Sequence, residues 1–381
     1  MKDKVNLIIP AAGKSSRFPG VKPKWLLTHP TGELMVTAAL AGLDMSDVEA
    51  IHLVVLAEHI QKHISLDSIQ TAFRVAGIDT SLKILELSES TSSQPETVAR
   101  AIEHFDLSGP MYIKDVDNYF VSPVRAEDSI AVRSLSTAGK VNAGNKSYVL
   151  VDDHGLVTNV VEKQVVSSDY SVGGYSFAQA ELFLEYFNNQ ENTSDLYVSH
   201  IIFAMVLAGV GFHTRQVSAY DDWGTLEDWN EYKSTFTTLL LDIDGVIVKN
   251  SGQFFDPQWG KTDALVKNVA LLNRLHDAGR TKIILTTSRT SEFREATVKQ
   301  LNKLGMQYHE IVFNLFHGKR TVVNDYASSN PYKSCEAINI KRDSDTLEEM
   351  LEVQLGSTVE ASPAISVTES PTVSKETKEH A

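Results

Sequence analysis

The stretch VNLIIPAAGKSSRFPGVKPKWLL, residues 5–27, decides how the chain folds at its start and what that fold is for. VNLIIP is a short aliphatic and β-branched run with the length of a buried strand. It enters a turn of small residues, Ala11-Ala12-Gly13, where backbone amides can approach phosphate oxygens without side-chain obstruction. Arg17 follows closely and Lys24 soon after. These two cations can hold a triphosphate and stabilise charge at the α-phosphorus during substitution. A small-residue turn alone is an ordinary strand–helix connection. Turn, arginine and Pro-Lys pair in this order form a far more specific signal.

Outward from this stretch, IHLVVLA, LKILEL and MYIKDVD read as further strands, and TVARAIEHF and AELFLEYF carry helical spacing. The alternation predicts an α/β domain with a mainly parallel sheet over residues 1–235. The pattern restarts after the polar helical segment LEDWNEYKS, with the strand TTLLLDIDGVIV. A helix (ALVKNVALLNRLHDAG), a strand (TKIILTTS), a helix (EFREATVKQLNKLG) and a strand (YHEIVFN) complete a second domain, 236–353. Residues 354–381 turn to Ser, Thr, Glu, Pro and Val without periodicity and are expected to be a disordered tail. A length of 381 residues suits two domains.

Lys plus Arg number 35 and Asp plus Glu 49, a formal charge of −14 that argues against a nucleic-acid-binding face. Small phosphorylated substrates remain compatible, since they need only a local positive pocket and a metal ion. The single cysteine, Cys335, rules out an internal disulfide and a cysteine-based zinc site. The opening MKDKVNLIIPAAG has too short an apolar run for a signal peptide or a membrane span, so a cytoplasmic protein without membrane insertion is expected. Homo-oligomerisation is left open.

The opening segment resembles the nucleotidyltransferases that make sugar nucleotides and CDP-alcohols, whose start is an AAG-type loop, an arginine and a lysine in a PK dipeptide. The resemblance implies a GT-A/Rossmann-like mixed sheet, with Ala11, Ala12 and Gly13 binding nucleotide and Arg17 and Lys24 catalytic. Many members carry a second loop glycine where this chain has Lys14-Ser15-Ser16. In MYIKDVDNYF, Asp115 and Asp117 stand at a strand end, placed to meet Mg²⁺; a solvated turn capped by Asn118 is the plain alternative. The Asp-Asn pair is similar to the metal motif of the phosphocholine cytidylyltransferase branch, which favours CTP. In YDDWGTLEDW, the resemblance assigns a second metal carboxylate to Asp222, two residues before Gly224-Thr225, while Trp223 and Trp229 read as packing. VVEKQVVSSDYSVGGYSF resembles the acceptor strand: Glu162 and Lys163 would meet the acceptor, and Gly173 and Gly174 would admit it. Gln94 occupies the place of a base contact, with helix capping by its segment an equal alternative.

In the second domain, LDIDGV places Asp242 and Asp244 one residue apart after an apolar strand, an arrangement suited to phosphoryl transfer: Asp242 attacks phosphorus and Asp244 exchanges the leaving-group proton. This resembles haloacid dehalogenase-like phosphatases. The resemblance implies phosphate binding by Thr287, charge neutralisation by Lys319, and Mg²⁺ on Asp242, Asp244 and Asp325. Asn324 stands where relatives have an acidic residue. Arg289 and Arg320 can bind substrate anions or be solvated surface charges. The short spacings from Asp244 to Thr287 and from Thr287 to Lys319 imply an uncapped, Rossmannoid domain.

The expectation is therefore a bifunctional enzyme: NTP plus a phosphorylated sugar, alditol or amino alcohol gives the nucleotidyl conjugate and pyrophosphate, and the second domain hydrolyses a phosphate monoester. By analogy, such a pairing supplies a surface-polysaccharide precursor. The alternatives are a transferase joined to a catalytically silent scaffold, or a non-catalytic nucleotide sensor.

Overall fold

The computed structural model describes residues 4–15, 17–137, 141–251, 258–326 and 333–355. They form two compact units that divide between Trp229 and Asn230.

Four parallel strands make the centre of the first unit, in the order Ser81–Leu87, Val48–Leu56, Val5–Pro10, Met111–Lys114. Their side chains alternate between two cores. Ile8, Val54 and Ile113 meet Val98, Ile102, Phe183 and Ile201 from the helices Gln94–Phe105, Ala180–Asn188 and Val198–Leu207. Leu7, Ile9, Leu53 and Val55 meet Val36, Leu40, Ile69 and Phe73 from Met35–Leu40 and Leu66–Val75. Burial on both faces explains why Val5–Pro10 and Val48–Leu56 read as nearly continuous apolar runs.

The expectation of a mainly parallel sheet holds for this half only. Asp169–Phe177 runs antiparallel to Met111–Lys114, and Ser129–Ser134 runs antiparallel to it in turn. Ser147–Val151 and Val157–Glu162 form an antiparallel hairpin at the outer edge. The hairpin follows from its connection. Asp152 Oδ1 accepts the N–H groups of His154 and Leu156, each at 2.9 Å, in a turn far too short for the crossover that parallel pairing needs.

Strand order reverses beside Val5–Pro10. The chain first builds outward through Val48–Leu56 to Ser81–Leu87, then returns to lay Met111–Lys114 on the opposite side. Loops leaving Pro10 and Lys114 diverge at such a switch, and the crevice between them is where open α/β sheets bind ligands. A separate two-stranded ribbon pairs Asn118–Phe120 with Tyr220–Asp222.

The second unit is a three-stranded parallel sheet, Thr237–Asp242, Thr281–Thr286 and Glu310–Val312, in that order. Leu241, Ile243, Ile283 and Leu285 pack against Leu271, Leu272 and Leu301 of the helices Val266–Asp277 and Arg294–Lys303. A last helix, Leu347–Leu355, ends the description; the tail expected from 354 otherwise lies outside the described residues. Among the described residues no helix is long and apolar enough to cross a membrane.

Candidate active site

The loop after the first strand is folded back on itself. The Ala11 N–H continues the parallel ladder to Val54 O at 2.8 Å, and Ala11 and Ala12 are buried. Ser15 takes a left-handed φ of 48°; its carbonyl accepts the Phe18 N–H at 2.8 Å and its hydroxyl the Lys24 N–H at 3.3 Å. Buried Trp25 and Leu26 anchor the short 3-10 turn that Lys24 begins. The fold-back sends both cations to one carboxylate: Lys24 Nζ lies 2.7 Å from Asp117 Oδ2, and Arg17 Nη2 lies 3.6 Å from the same oxygen. Gly13 is exposed, and a Cβ built on it would meet nothing within 4 Å.

The central strand ends at Lys114, so Asp115 and Asp117 belong to the turn beyond it. That turn is held from beneath by Lys114, itself fully buried, which donates to Asp115 O (2.7 Å), Asn118 O (3.0 Å) and Asn118 Oδ1 (2.6 Å). Its ammonium also sits 4.5 Å from the centre of the Phe120 ring. The two aspartates differ in charge preference. Burial, helped by the neighbouring Asp117 charge, raises the Asp115 pKa. Burial acts on Asp117 in the same sense, yet Lys24 and Arg17 hold its carboxyl well below the usual carboxylate range. Asp117 is the carboxylate whose charge the two cations favour.

Gln94 donates its amide to Asp115 Oδ1, while the helix behind it is capped by Ser93, whose hydroxyl accepts the Glu96 N–H at 3.4 Å. Gln94 therefore supports the carboxylate turn. The Gly173-Gly174 pair, expected to admit an acceptor, is demanded by packing. Gly173 has φ of 81°, and a Cβ there would fall 2.4 Å from Asp115 Oδ2; one on Gly174 would fall 2.3 Å from the Tyr112 hydroxyl.

Asp222 arrives from far along the chain through the ribbon, opposite Asn118. The Trp223 N–H extends this pairing to Asp117 O at 2.9 Å. Asp222 Oδ1 accepts the Gly224 N–H at 3.1 Å. A Cβ on Gly224 would lie 3.1 Å from Asp222 Oδ1 and 3.6 Å from Arg17 Nη1, so carboxylate and guanidinium flank the same glycine. Arg17, Lys24, Asp117 and Asp222 thus gather at the carboxyl ends of the central strands.

Two further lysines belong to the site, and sequence reasoning missed both. Lys114 stood in view as a charge within an apolar strand. Lys146, which no motif marks, lies 2.5 Å from Asp222 Oδ2 and donates to the Tyr220 hydroxyl at 2.7 Å. On the acceptor side, Glu162 accepts from the Ser199 hydroxyl, and Lys163, at φ of 57°, donates to the Tyr197 hydroxyl at 2.7 Å. Lys146 O accepts the Lys163 N–H at 2.8 Å, tying that side to the Asp222 side. Trp223 and Trp229 are buried edge-on against each other, as packing residues.

Among the described residues no three His, Cys, Asp or Glu side chains gather to hold a metal. Asp117 and Asp222 nonetheless suit Mg²⁺, which takes one or two protein carboxylates and completes its shell with water and substrate phosphates.

In the second unit Asp242 ends the first strand, and its Oδ1 receives Arg320 Nη2 at 3.1 Å. Burial raises its pKa against the opposing pull of Arg320. Arg289 is neither a solvated charge nor free for substrate. It is fully buried and grips Asp244 in a fork, Nε to Oδ2 at 2.9 Å and Nη2 to Oδ1 at 2.7 Å. Thr297 and Gln300 fix its remaining nitrogen at 3.0 and 3.2 Å. Thr287 is buried, and its hydroxyl accepts the Arg289 N–H at 3.1 Å. Among the described residues no hydrogen bond or ion pair joins Lys319 or Asp325 to Asp242 or Asp244, and Asp325 completes no carboxylate cluster with them. Asn324 donates to Ser334 O at 3.0 Å.

No protein-family model matches the chain, and no curated protein matches it. Similar solved structures include the nucleoside-diphosphate-sugar pyrophosphorylase from Vibrio cholerae, at 20% identity and a TM-score of 0.49, covering 59% of this chain and 98% of that one. The inositol-1-phosphate CTP transferase from T. maritima has 15% identity and a TM-score of 0.49, covering 60% and 93%. A UDP-glucose pyrophosphorylase complexed with UDP-glucose has 13% identity and a TM-score of 0.46, covering 60% and 96%.

Proposed function

We propose that the N-terminal unit transfers a nucleotidyl group from an NTP to a phosphorylated sugar, alditol or amino alcohol, releasing pyrophosphate. The convergence of Arg17 and Lys24 with Asp117 and Asp222 at the topological switch point carries this reading. An oxygen of the acceptor phosphate attacks the α-phosphorus in line, and the bond to the pyrophosphate oxygen breaks. Lys24 and Arg17, positioned by Asp117, meet the triphosphate oxygens and stabilise charge as the bond order shifts. Mg²⁺ held by Asp117 and Asp222 supplies further neutralisation of phosphate charge when bound. Glu162 and Lys163 border the acceptor.

CTP is the favoured donor, on the strength of the Asp-Asn motif at Asp117. The test is to incubate the protein with Mg²⁺, each of the four NTPs, and a panel of phosphorylated sugars, alditols and amino alcohols. Pyrophosphate release is expected, fastest with CTP. Silence under every combination removes the proposal.

In the second unit, the sequence around Asp242 and Asp244 resembles the paired aspartates of haloacid dehalogenase-like phosphatases, and phosphate monoester hydrolysis is the reading that resemblance suggests. The fork between buried Arg289 and Asp244 favours the other reading, a catalytically silent scaffold. Both oxygens of that carboxylate are engaged by the guanidinium in charge-assisted bonds, which makes it a structural anchor. Phosphate release from p-nitrophenyl phosphate and sugar bisphosphates separates the two. Turnover abolished by Asp242→Asn establishes the phosphatase; absent turnover, or turnover indifferent to that change, leaves the scaffold.

A further inference from the structure

We propose that Lys146 is an internal competitor for the divalent cation at Asp222, an inference that rests on the reading of Asp222 as a cation ligand. The site has two carboxylates, and each is bridged by a lysine: Lys24 on Asp117 Oδ2 at 2.7 Å, Lys146 on Asp222 Oδ2 at 2.5 Å. Lys146 is the more enclosed of the two lysines, its side chain 11% exposed against 22%. Its ammonium is held from a second direction by the Tyr220 hydroxyl at 2.7 Å and lies over the rings of Tyr220 and Tyr170, 5.2 and 5.8 Å from their centres. A Mg²⁺ or Mn²⁺ ion bound to that same oxygen sits about 2 Å from it. Two positive centres cannot share one carboxylate oxygen at such distances without strong repulsion. A cation that takes this oxygen therefore competes with the ammonium for it, as it would with Lys24 at Asp117 Oδ2.

Where a displaced ammonium goes is constrained by the backbone. Lys146 O accepts the Lys163 N–H at 2.8 Å, so a displaced Lys146 stays beside the Glu162-Lys163 pair. Loading the cation turns a carboxylate-bound lysine into one available to an anionic acceptor.

The experiment titrates the full chain with MnCl₂ alone, without nucleotide, following free Mn²⁺ by electron paramagnetic resonance. Lys146→Gln and Lys146→Met are expected to bind Mn²⁺ on the order of tenfold more tightly than wild type, within the range of coupling between contacting charged groups. Lys146→Arg keeps the competing charge and should stay near the wild-type affinity. Asp222→Asn separates the premises. If it abolishes binding while the Gln and Met variants bind no tighter than wild type, the competition is refuted and Asp222 stands as a ligand. If it binds like wild type, the ligand reading falls and takes this proposal with it. Should the Gln and Met variants lose their native circular dichroism, Tyr220→Phe decides. Losing one holder of the ammonium should tighten Mn²⁺ binding about threefold, and unchanged affinity overturns the idea.

Discussion

Alanine should be nearly neutral for stability at Gly13 but costly at Gly173. At Gly13 a new methyl meets nothing within 4 Å, and the residue has no left-handed φ, so unfolding free energy should change by less than about 0.5 kcal/mol. At Gly173 the φ of 81° alone costs an L-residue about 1–2 kcal/mol. The methyl would also press 2.4 Å from Asp115 Oδ2 and 2.8 Å from Asn118 Nδ2, an overlap of roughly 1–3 kcal/mol. Gly173→Ala should therefore lose about 2–5 kcal/mol. Activity separates the sites differently. If the turn at Gly13 cradles the triphosphate through its backbone, the methyl enters the ligand's space, and kcat/KM for the NTP should fall roughly 5- to 150-fold on a cost of about 1–3 kcal/mol. Urea unfolding gives the stabilities, and a pyrophosphate-release assay with varied NTP gives kcat/KM. A Gly13→Ala protein with wild-type stability and undiminished kcat/KM would refute the cradle.

Lys24→Met should retain the fold by circular dichroism yet lower kcat for pyrophosphate release by about 10²–10³, the usual loss when one preorganised cation or donor at developing charge is removed. His52, buried against Asn6 and the Phe105 ring, has its pKa lowered to about 4 by burial and by Lys83. Its contribution is fully present above the unfolded value near 6.5 and lost as pH falls toward 4. Urea denaturation should thus show about 2 kcal/mol less stability at pH 5 than at pH 7.5, a difference that shrinks in His52→Gln. Arg289→Met removes both partners of the Asp244 carboxylate and should destabilise the C-terminal unit by about 3–5 kcal/mol, read as an earlier thermal transition.

The central strand was legible because burial on both faces forces a nearly uninterrupted aliphatic run, as in VNLIIP for Val5–Pro10. LKILEL, within the half-exposed edge strand Ser81–Leu87, was marked by its aliphatic residues interspersed with charged ones. The helices whose apolar residues repeat at 3.6, Gln94–Phe105 and Val266–Asp277, were equally plain. The antiparallel half was not, because pairing direction depends on connection length, which alternation patterns do not record. Arg17, Lys24 and Asp117 could be named from a short local pattern; their convergence with Asp222 depends on a ribbon formed between distant segments. Lys146 and Lys114 were missed for a related reason. Each acts through a three-dimensional neighbour, Asp222 in one case and the Asp115–Asn118 turn in the other, and a lone lysine in sequence looks like solvated surface. Arg289 misled similarly: after a strand and two threonines it reads as exposed, yet it is fully buried on Asp244.

If the proposed transfer holds, the ribbon between Asn118–Phe120 and Tyr220–Asp222 would also set the moment at which a newly made chain completes its site. Synthesis delivers Arg17, Lys24 and Asp117 early, and the parallel strands can associate while translation continues. Asp222 is among the last residues of its unit to be made, and such distant pairings close late and slowly. A nascent polypeptide halted before Tyr220 would own the strands and the two cations but lack the closing carboxylate, and would sit inert until elongation resumed.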